Sequence, residues 1–265
     1  MRCLLFQSKI SPFLVFGRFG TIPEPNDQEK LVSLEKLGCK EVSMRRMKHE
    51  ERPKIGLAIT GASGFIYGLR LLRELIRRNV IVHLTISPNA RHIAKLEMGI
   101  DIDLETGRIE GLGERFFEWV IYHHYSHVGA APASGSYDIR AVAVVPCSMS
   151  ALSRIATGVS ENLVGRMADV ALKERRPLIL VPRETPYNAI HLKNMYTLAK
   201  AGAVILPASP GFYHHPQTID DLVDFVVSRI LQHLGFDGQN LIQGGWGEID
   251  ALATRTHLCT ESHDS

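Results

Sequence analysis

Residues 146–186 hold the chain's densest set of groups suited to an anion. Ser148 and Ser150 follow an apolar run, Arg166 and Lys173 stand seven residues apart, and Arg183-Glu184 follow a second apolar run. Hydroxyls and unpaired backbone N–H groups at a helix start attract negative charge, and the helix dipole adds to that attraction. Seven residues is two turns of α-helix, so Arg166 and Lys173 project from nearly the same face. An arginine–glutamate pair at the carboxyl end of a strand marks a site or a plain ion pair. Taken together, the spacing predicts a phosphate-handling region.

The elements around these residues follow from apolar patterning. Ala141–Val145 reads as a buried strand that stops at Pro146, two helical segments follow, and Leu178–Val181 reads as a second buried strand. Upstream, Lys54–Thr60 is a short apolar strand ended by Gly61, and Gly-Ala-Ser-Gly makes the turn. Leu69, Leu72, Leu75 and Ile76 then give a helix one apolar face, with Asn79 as its stop. The turn lacks the G-x-G-x-x-G spacing of dinucleotide-binding proteins, and by itself it is equally a tight strand–helix turn with no ligand. Val80–Ile86 is the next strand, and Ser87-Pro88 cap the helix after it. Asn188–Ala201 reads as an amphipathic helix and Val204–Leu206 as a strand. A capping box at Thr218/Asp221 opens a last helix, closed by Gly235. Alternating strands and helices predict a three-layer parallel α/β sandwich, Rossmann-like, as one domain over residues 51–238.

The totals constrain the rest. A chain of 265 residues with 45% hydrophobic and 22% charged content suits one globular α/β domain, and a net charge of +2 gives no reason for a nucleic-acid or acidic-membrane partner. No apolar run reaches the roughly 20 residues of a membrane-spanning helix. Cys3, Cys39, Cys147 and Cys259 are scattered without a C-x-x-C pair, which predicts reduced thiols and a cytoplasmic setting. Residues 1–50 read as a disordered extension or one lying mostly upstream of a start at Met44 or Met47, in preference to a targeting peptide, and 239–265 as a polar tail.

Several residues carry two readings. Glu97, near a helix end, faces water by default. Cys147 has no base to pair with and reads as an inert buried thiol. His123, His124 and His127 lack an acid or cysteine at ligand spacing, which favours a surface cluster over a metal site. Lys173 to Arg176 include cations that offset a helix C-terminal dipole, and Arg229 lies off the apolar stripe of its helix, where solvent is its simplest surrounding.

With TGASG at 60–64, PGFYHHP at 210–216 and the 146–186 stretch, the chain from about Lys54 to Gly235 resembles the UbiX-type flavin prenyltransferases. These belong to a flavoprotein superfamily that includes flavin-dependent cysteine decarboxylases. The resemblance implies transfer of a dimethylallyl group from dimethylallyl phosphate to reduced flavin mononucleotide (FMN), without a metal, to make prenylated FMN for a UbiD-type decarboxylase. It implies FMN contacts at Gly61, Ala62, Ser63, Ser87, Ser148, Met149, Ser150, Ala151 and Arg183. The family commonly has threonines at the third and fourth of positions 148–151. Ser150 keeps a hydroxyl, whereas Ala151 leaves only its backbone. The resemblance further implies catalytic roles for Glu97, Glu184 and Ser63, and prenyl-phosphate contacts at Tyr213, Arg229, Arg166, Lys173 and Ser134. A homo-oligomer, often a dodecamer with sites between subunits, is implied too. The cysteine decarboxylases differ by a PxMNxxMW motif, where this chain has NAIHLKNM at 188–195. An FMN-binding carrier without chemistry is the remaining alternative.

Overall fold

The computed structural model describes residues 52–238 and Leu241, so the expected extension, and the tail apart from Leu241, lie outside the described residues. Six strands, β1 (Lys54–Ile59), β2 (Ile81–Ile86), β3 (Val120–Tyr122), β4 (Ala141–Cys147), β5 (Leu178–Pro182) and β6 (Val204–Ile205), form one sheet in the order 3-2-1-4-5-6. Every pairing is parallel. That is the doubly wound order, in which the chain leaves β1 toward one edge and resumes at β4 toward the other. The crevice beyond the carboxyl ends of β1 and β4 is therefore the natural ligand position.

Side-chain alternation along each strand feeds two cores. Ile55, Leu57 and Ile59 of β1 pack with helices α1 (Phe65–Arg77), α2 (Pro88–Met98) and α6 (Ile219–His233) on one face. Ala58 of β1 and Val142 and Val144 of β4 pack with α3 (Met149–Ala156), α4 (Leu163–Lys173) and α5 (Ala189–Lys200) on the other. The predicted three-layer sandwich is the observed one. Helix ends match their sequence signals: Asn79 adopts a left-handed φ of 58° just past α1, and Thr218 and Asp221 form the capping box of α6.

Two details depart from the expected pattern. Strand β4 does not stop at Pro146 but runs through it to Cys147, by a cis Val145–Pro146 bond and a register shift between Val144 and Cys147. Proline is tolerated there because it need only accept: its carbonyl takes bonds from Thr60 N at 3.2 Å and Thr60 Oγ1 at 2.8 Å. The second is Gly68 in mid-α1, where any Cβ would overlap the Val145 carbonyl oxygen. The absent side chain brings α1 close against β4 and fixes where the turn before α1 lies.

Candidate functional site

Thr60 ties the two central strands together where they separate. Its side chain is 3% exposed, and Oγ1 donates to Pro146 O and accepts from Ser148 N, each at 2.8 Å. The end of β1 and the start of α3 are thereby held as one piece, and a polar cavity of about 250 Å³ opens above them. Gly61, Ser87, Asn89, Ser148, Ser150 and Arg154 line it, with Tyr125, Asn162 and Gly165 closing the far side.

Three helices begin at this cavity. Ser87 caps α2 by accepting from Ala90 N at 3.2 Å, Ser148 caps α3 by accepting from Ala151 N at 3.2 Å, and Asn162 caps α4 by accepting from Gly165 N at 3.0 Å. Each cap satisfies one amide and leaves others: the N–H groups of Asn89, Met149, Ser150 and Val164 have no acceptor among the described residues. Each helix start carries about half a positive charge. Three converging starts make a cavity built for an anion, and backbone amides plus short hydroxyls suit a phosphate group. Ala151 lines the cavity too, with its amide taken up by the Ser148 cap, while Met149 and Ser150 supply the free amides of α3.

A second, mostly apolar recess of about 340 Å³ lies across the Gly61–Gly64 turn. Ile66, Ala208, Pro210, Leu222 and Val223 form its walls, and Ser63, Glu97 and Arg183 bring polar groups to it. Glu97 does not simply face water. Its carboxylate accepts from Gly64 N at 3.0 Å and Phe65 N at 3.1 Å, sitting on the start of α1. No side chain of α1's own N-cap does this, since Gly64 occupies that position at φ 99°. Tyr67 lines the same recess, where burial pushes its phenol above its ordinary value and the nearby Arg183 guanidinium opposes that push.

The fold thus gathers Gly61, Ser87, Ser148, Ser150 and Ala151 at one cavity and Ser63, Glu97 and Arg183 at the other. Met149 opens α3 at the rim of the first, and Ala62 is buried within the turn between them. The remaining predicted residues line neither cavity. Arg166 pairs with Asp169 at 2.8 Å, Lys173 pairs with Glu174, and Arg229 Nη1 donates to Gln232 at 2.7 Å. Glu184 accepts from Thr185 N at 3.1 Å, Ser134 bonds Ser136 at 2.9 Å, and Tyr213 packs edge-on against Phe225. Arg166 and Lys173 do share a helix, but Lys173 ends it. Eleven residues at about 1.5 Å each put Lys173 roughly 15 Å from the helix start that meets the cavity.

Thr60, Asn89, Tyr125, Arg154 and Asn162 were not anticipated. The sequence did signal Asn162 as a cap before the apolar run of α4, and Arg154 stands four residues after Ser150 on the same helical face. Cys147 is fully buried, and desolvation pushes its thiol up to about 12, in keeping with an inert core residue.

Of the three histidines, His127 is exposed as expected of a surface cluster, but His123 is placed differently. His123 is half-buried, stacked on His83 with ring centroids 5.1 Å apart, and its Nε2 lies 2.8 Å from His83 Nδ1. His83 is 1% exposed in β2, and its Nε2 meets the Tyr137 hydroxyl at 3.1 Å. Its partner stands two residues before Tyr125, so this pair anchors the loop that closes the polar cavity. Burial, then the neighbouring His123 and Lys54, push the His83 imidazole down to about 4. The unfolded chain therefore takes up a proton between pH 6.5 and about 4 that the folded chain refuses, and stability falls as pH drops through that window. The loss is on the order of 3 kcal/mol. Thermal unfolding across this window should show a falling midpoint, and NMR of the side chain should keep His83 neutral down to pH ~5. A His83 titration near its ordinary value would refute this. Among the described residues no cluster of histidine, cysteine or carboxylate groups could hold a metal ion, and no helix is long and apolar enough to cross a membrane.

Residues 43–231 match the Flavoprotein family. The flavin prenyltransferase UbiX of Pseudomonas aeruginosa is 46% identical over 210 residues, covering 74% of this chain and 94% of that protein. The flavin prenyltransferase UbiX of Methanocaldococcus jannaschii is 44% identical over 196 residues, covering 74% of this chain and 100% of that protein. The crystal structure of AnUbiX (PadA1) in complex with FMN and dimethylallyl pyrophosphate superposes with a TM-score of 0.66 at 37% identity, over 74% of this chain and 100% of that one. A dodecameric FMN-dependent UbiX-like decarboxylase from Escherichia coli O157:H7 gives 0.64 at 36% identity, over 72% of this chain and 99% of that one.

Proposed function

The chain belongs to the Flavoprotein family and, within it, to the flavin prenyltransferases, and from that membership we propose that it transfers a dimethylallyl group to reduced FMN. One observation carries the reading to the residues: a polar cavity fed by three helix starts adjoins an apolar recess bearing Ser63, Glu97 and Arg183. The first suits the phosphate and ribityl hydroxyls of a flavin nucleotide. Gly61 supports the fit, since a Cβ there would fill space against Asn89 on the cavity wall. The second suits a five-carbon allylic chain.

Reduced flavin supplies the ring nitrogen N5 and carbon C6 to which the five-carbon unit becomes joined. The allylic carbon–oxygen bond breaks with its electron pair leaving on phosphate, and cationic side chains stabilise that charge without a metal. Arg183 is our candidate at the recess, beside the flavin. Ser63 orients the ring near N5, and Glu184 exchanges a proton with the departing phosphate. A proton then adds across the prenyl double bond so that C6 bonds the tertiary carbon, and Glu97 accepts the proton that C6 releases. The apolar walls keep water from the allylic cation.

Arg166, Lys173, Arg229, Tyr213 and Ser134 line neither cavity of their own chain, so we assign them to the prenyl phosphate at a site completed by other copies. The dodecameric relative supports that assembly for this chain. The product is prenylated FMN, which we propose passes to a UbiD-type decarboxylase. A reducing compartment, the cytoplasm, suits a substrate that must arrive as reduced flavin.

The test is anaerobic: purified protein, reduced FMN and dimethylallyl monophosphate without added metal, followed by mass spectrometry of the extracted flavin. A gain of one prenyl unit is expected. Flavin that is bound but unchanged would overturn the transferase reading and leave a carrier.

A further inference from the structure

Arg154 lines the polar cavity, yet its side chain makes no hydrogen bond or ion pair among the described residues. On the other two helices that start at the cavity, Arg166 is engaged with Asp169 and Lys95 with Asp101. Arg154 sits in the last turn of α3, where a cation also offsets the helix dipole, and that alone explains a positive residue there. It does not explain the direction. Helical side chains lean toward the N-terminus of their helix, so Arg154 reaches back over Ser150, four residues earlier on the same face. Ser150, on the cavity wall, and the unpaired amides of Met149 and Ser150 stand at that end.

We propose that Arg154 is a phosphate-positioning residue that makes this cavity selective for flavins ending in a phosphate. The role rests on the flavin reading given above. Helix starts contribute partial charges fixed in place, whereas a guanidinium adds a full charge and paired N–H donors matched to phosphate oxygens. An unpartnered arginine beside three helix starts supplies what the amides lack, a mobile full charge that closes on the ligand from the solvent side.

The test compares FMN with riboflavin, which differ by the phosphate alone, using flavin fluorescence titration of the full chain. Arg154→Ala should weaken FMN binding by about 10- to 50-fold and leave riboflavin within about twofold, in the range of one charge-assisted hydrogen bond. Arg154→Lys should restore part of the preference, and the gap between wild type and Arg154→Ala should narrow at high salt. Arg154 is exposed, so unchanged thermal midpoints are expected for both variants. An unchanged FMN-to-riboflavin ratio in Arg154→Ala, with wild type still preferring FMN, would overturn the role and spare the flavin reading. A wild type with no preference for FMN would overturn both.

Discussion

Alanine at Gly61 is expected to weaken FMN binding by about 30- to 100-fold, the equivalent of 2–3 kcal/mol of overpacking. The added Cβ would overlap the Asn89 Cβ and stand 3.2 Å and 3.3 Å from Asn89 C and Cα. Backbone cannot rotate aside as a side chain can. Asn89 is held in the first turn of α2, where Ser87 caps the helix, so relief must come from moving the start of α2 away from β1. That movement separates two of the three helix starts that shape the cavity. Flavin fluorescence titration measures the loss directly. Affinity equal to wild type would show that the contact between the turn and α2 does not shape the binding site.

Glutamine at Glu97 is expected to leave flavin binding within about threefold and to cut prenylated product by about 100-fold or more, the usual scale of a lost general base. The neutral amide keeps the shape of the carboxylate and can still accept from Gly64 and Phe65 at the start of α1, but it cannot take up a proton. Alanine at the same position removes both roles and should add a stability loss of about 1 kcal/mol, the typical worth of a helix cap. Single-turnover mass spectrometry of the flavin separates the two variants from simple binding defects. Wild-type product formation by Glu97→Gln would remove this carboxylate from the chemistry and leave it a cap.

These two positions also show how far the sequence could be read. Gly61 and Glu97 were both visible, one as part of a strand–turn–helix spelling and one through family resemblance. What the spelling could not convey was that Glu97, 33 residues from Gly64, ends on its amide. Five of the six strands were legible because burial on both sheet faces writes continuous apolar runs, whereas three-residue β3 (Val120–Tyr122) was not. The end of β4 was misread at Pro146, since a proline that only accepts is indistinguishable in sequence from one that terminates. His83 was read as one more residue of a strand, and nothing local to VIVHLTI announces a partner 40 residues away. Arg154 and Tyr125 belong to the same class: their meaning depends on which elements the sheet order makes neighbours. The residues we assign to the prenyl phosphate are a different case. Arg166, Lys173 and Arg229 are readable by type, but in one chain they engage local partners instead of a common cavity.

The polar cavity draws most of its charge from main-chain amides at the starts of α2, α3 and α4, and an amide is the same in nearly every residue. Apart from Gly61 and Arg154, substitution therefore has little to remove there, and Ala151, where the family pattern has threonine, keeps its place in the cavity lining. What this design cannot absorb is a change in count. One residue more or fewer between β1 and α1, or between β4 and α3, would rotate a helix start away from its neighbours. The address of the ligand is thus written in loop lengths, and a mutational scan by substitution alone would rank this cavity as far more tolerant than a scan by deletion.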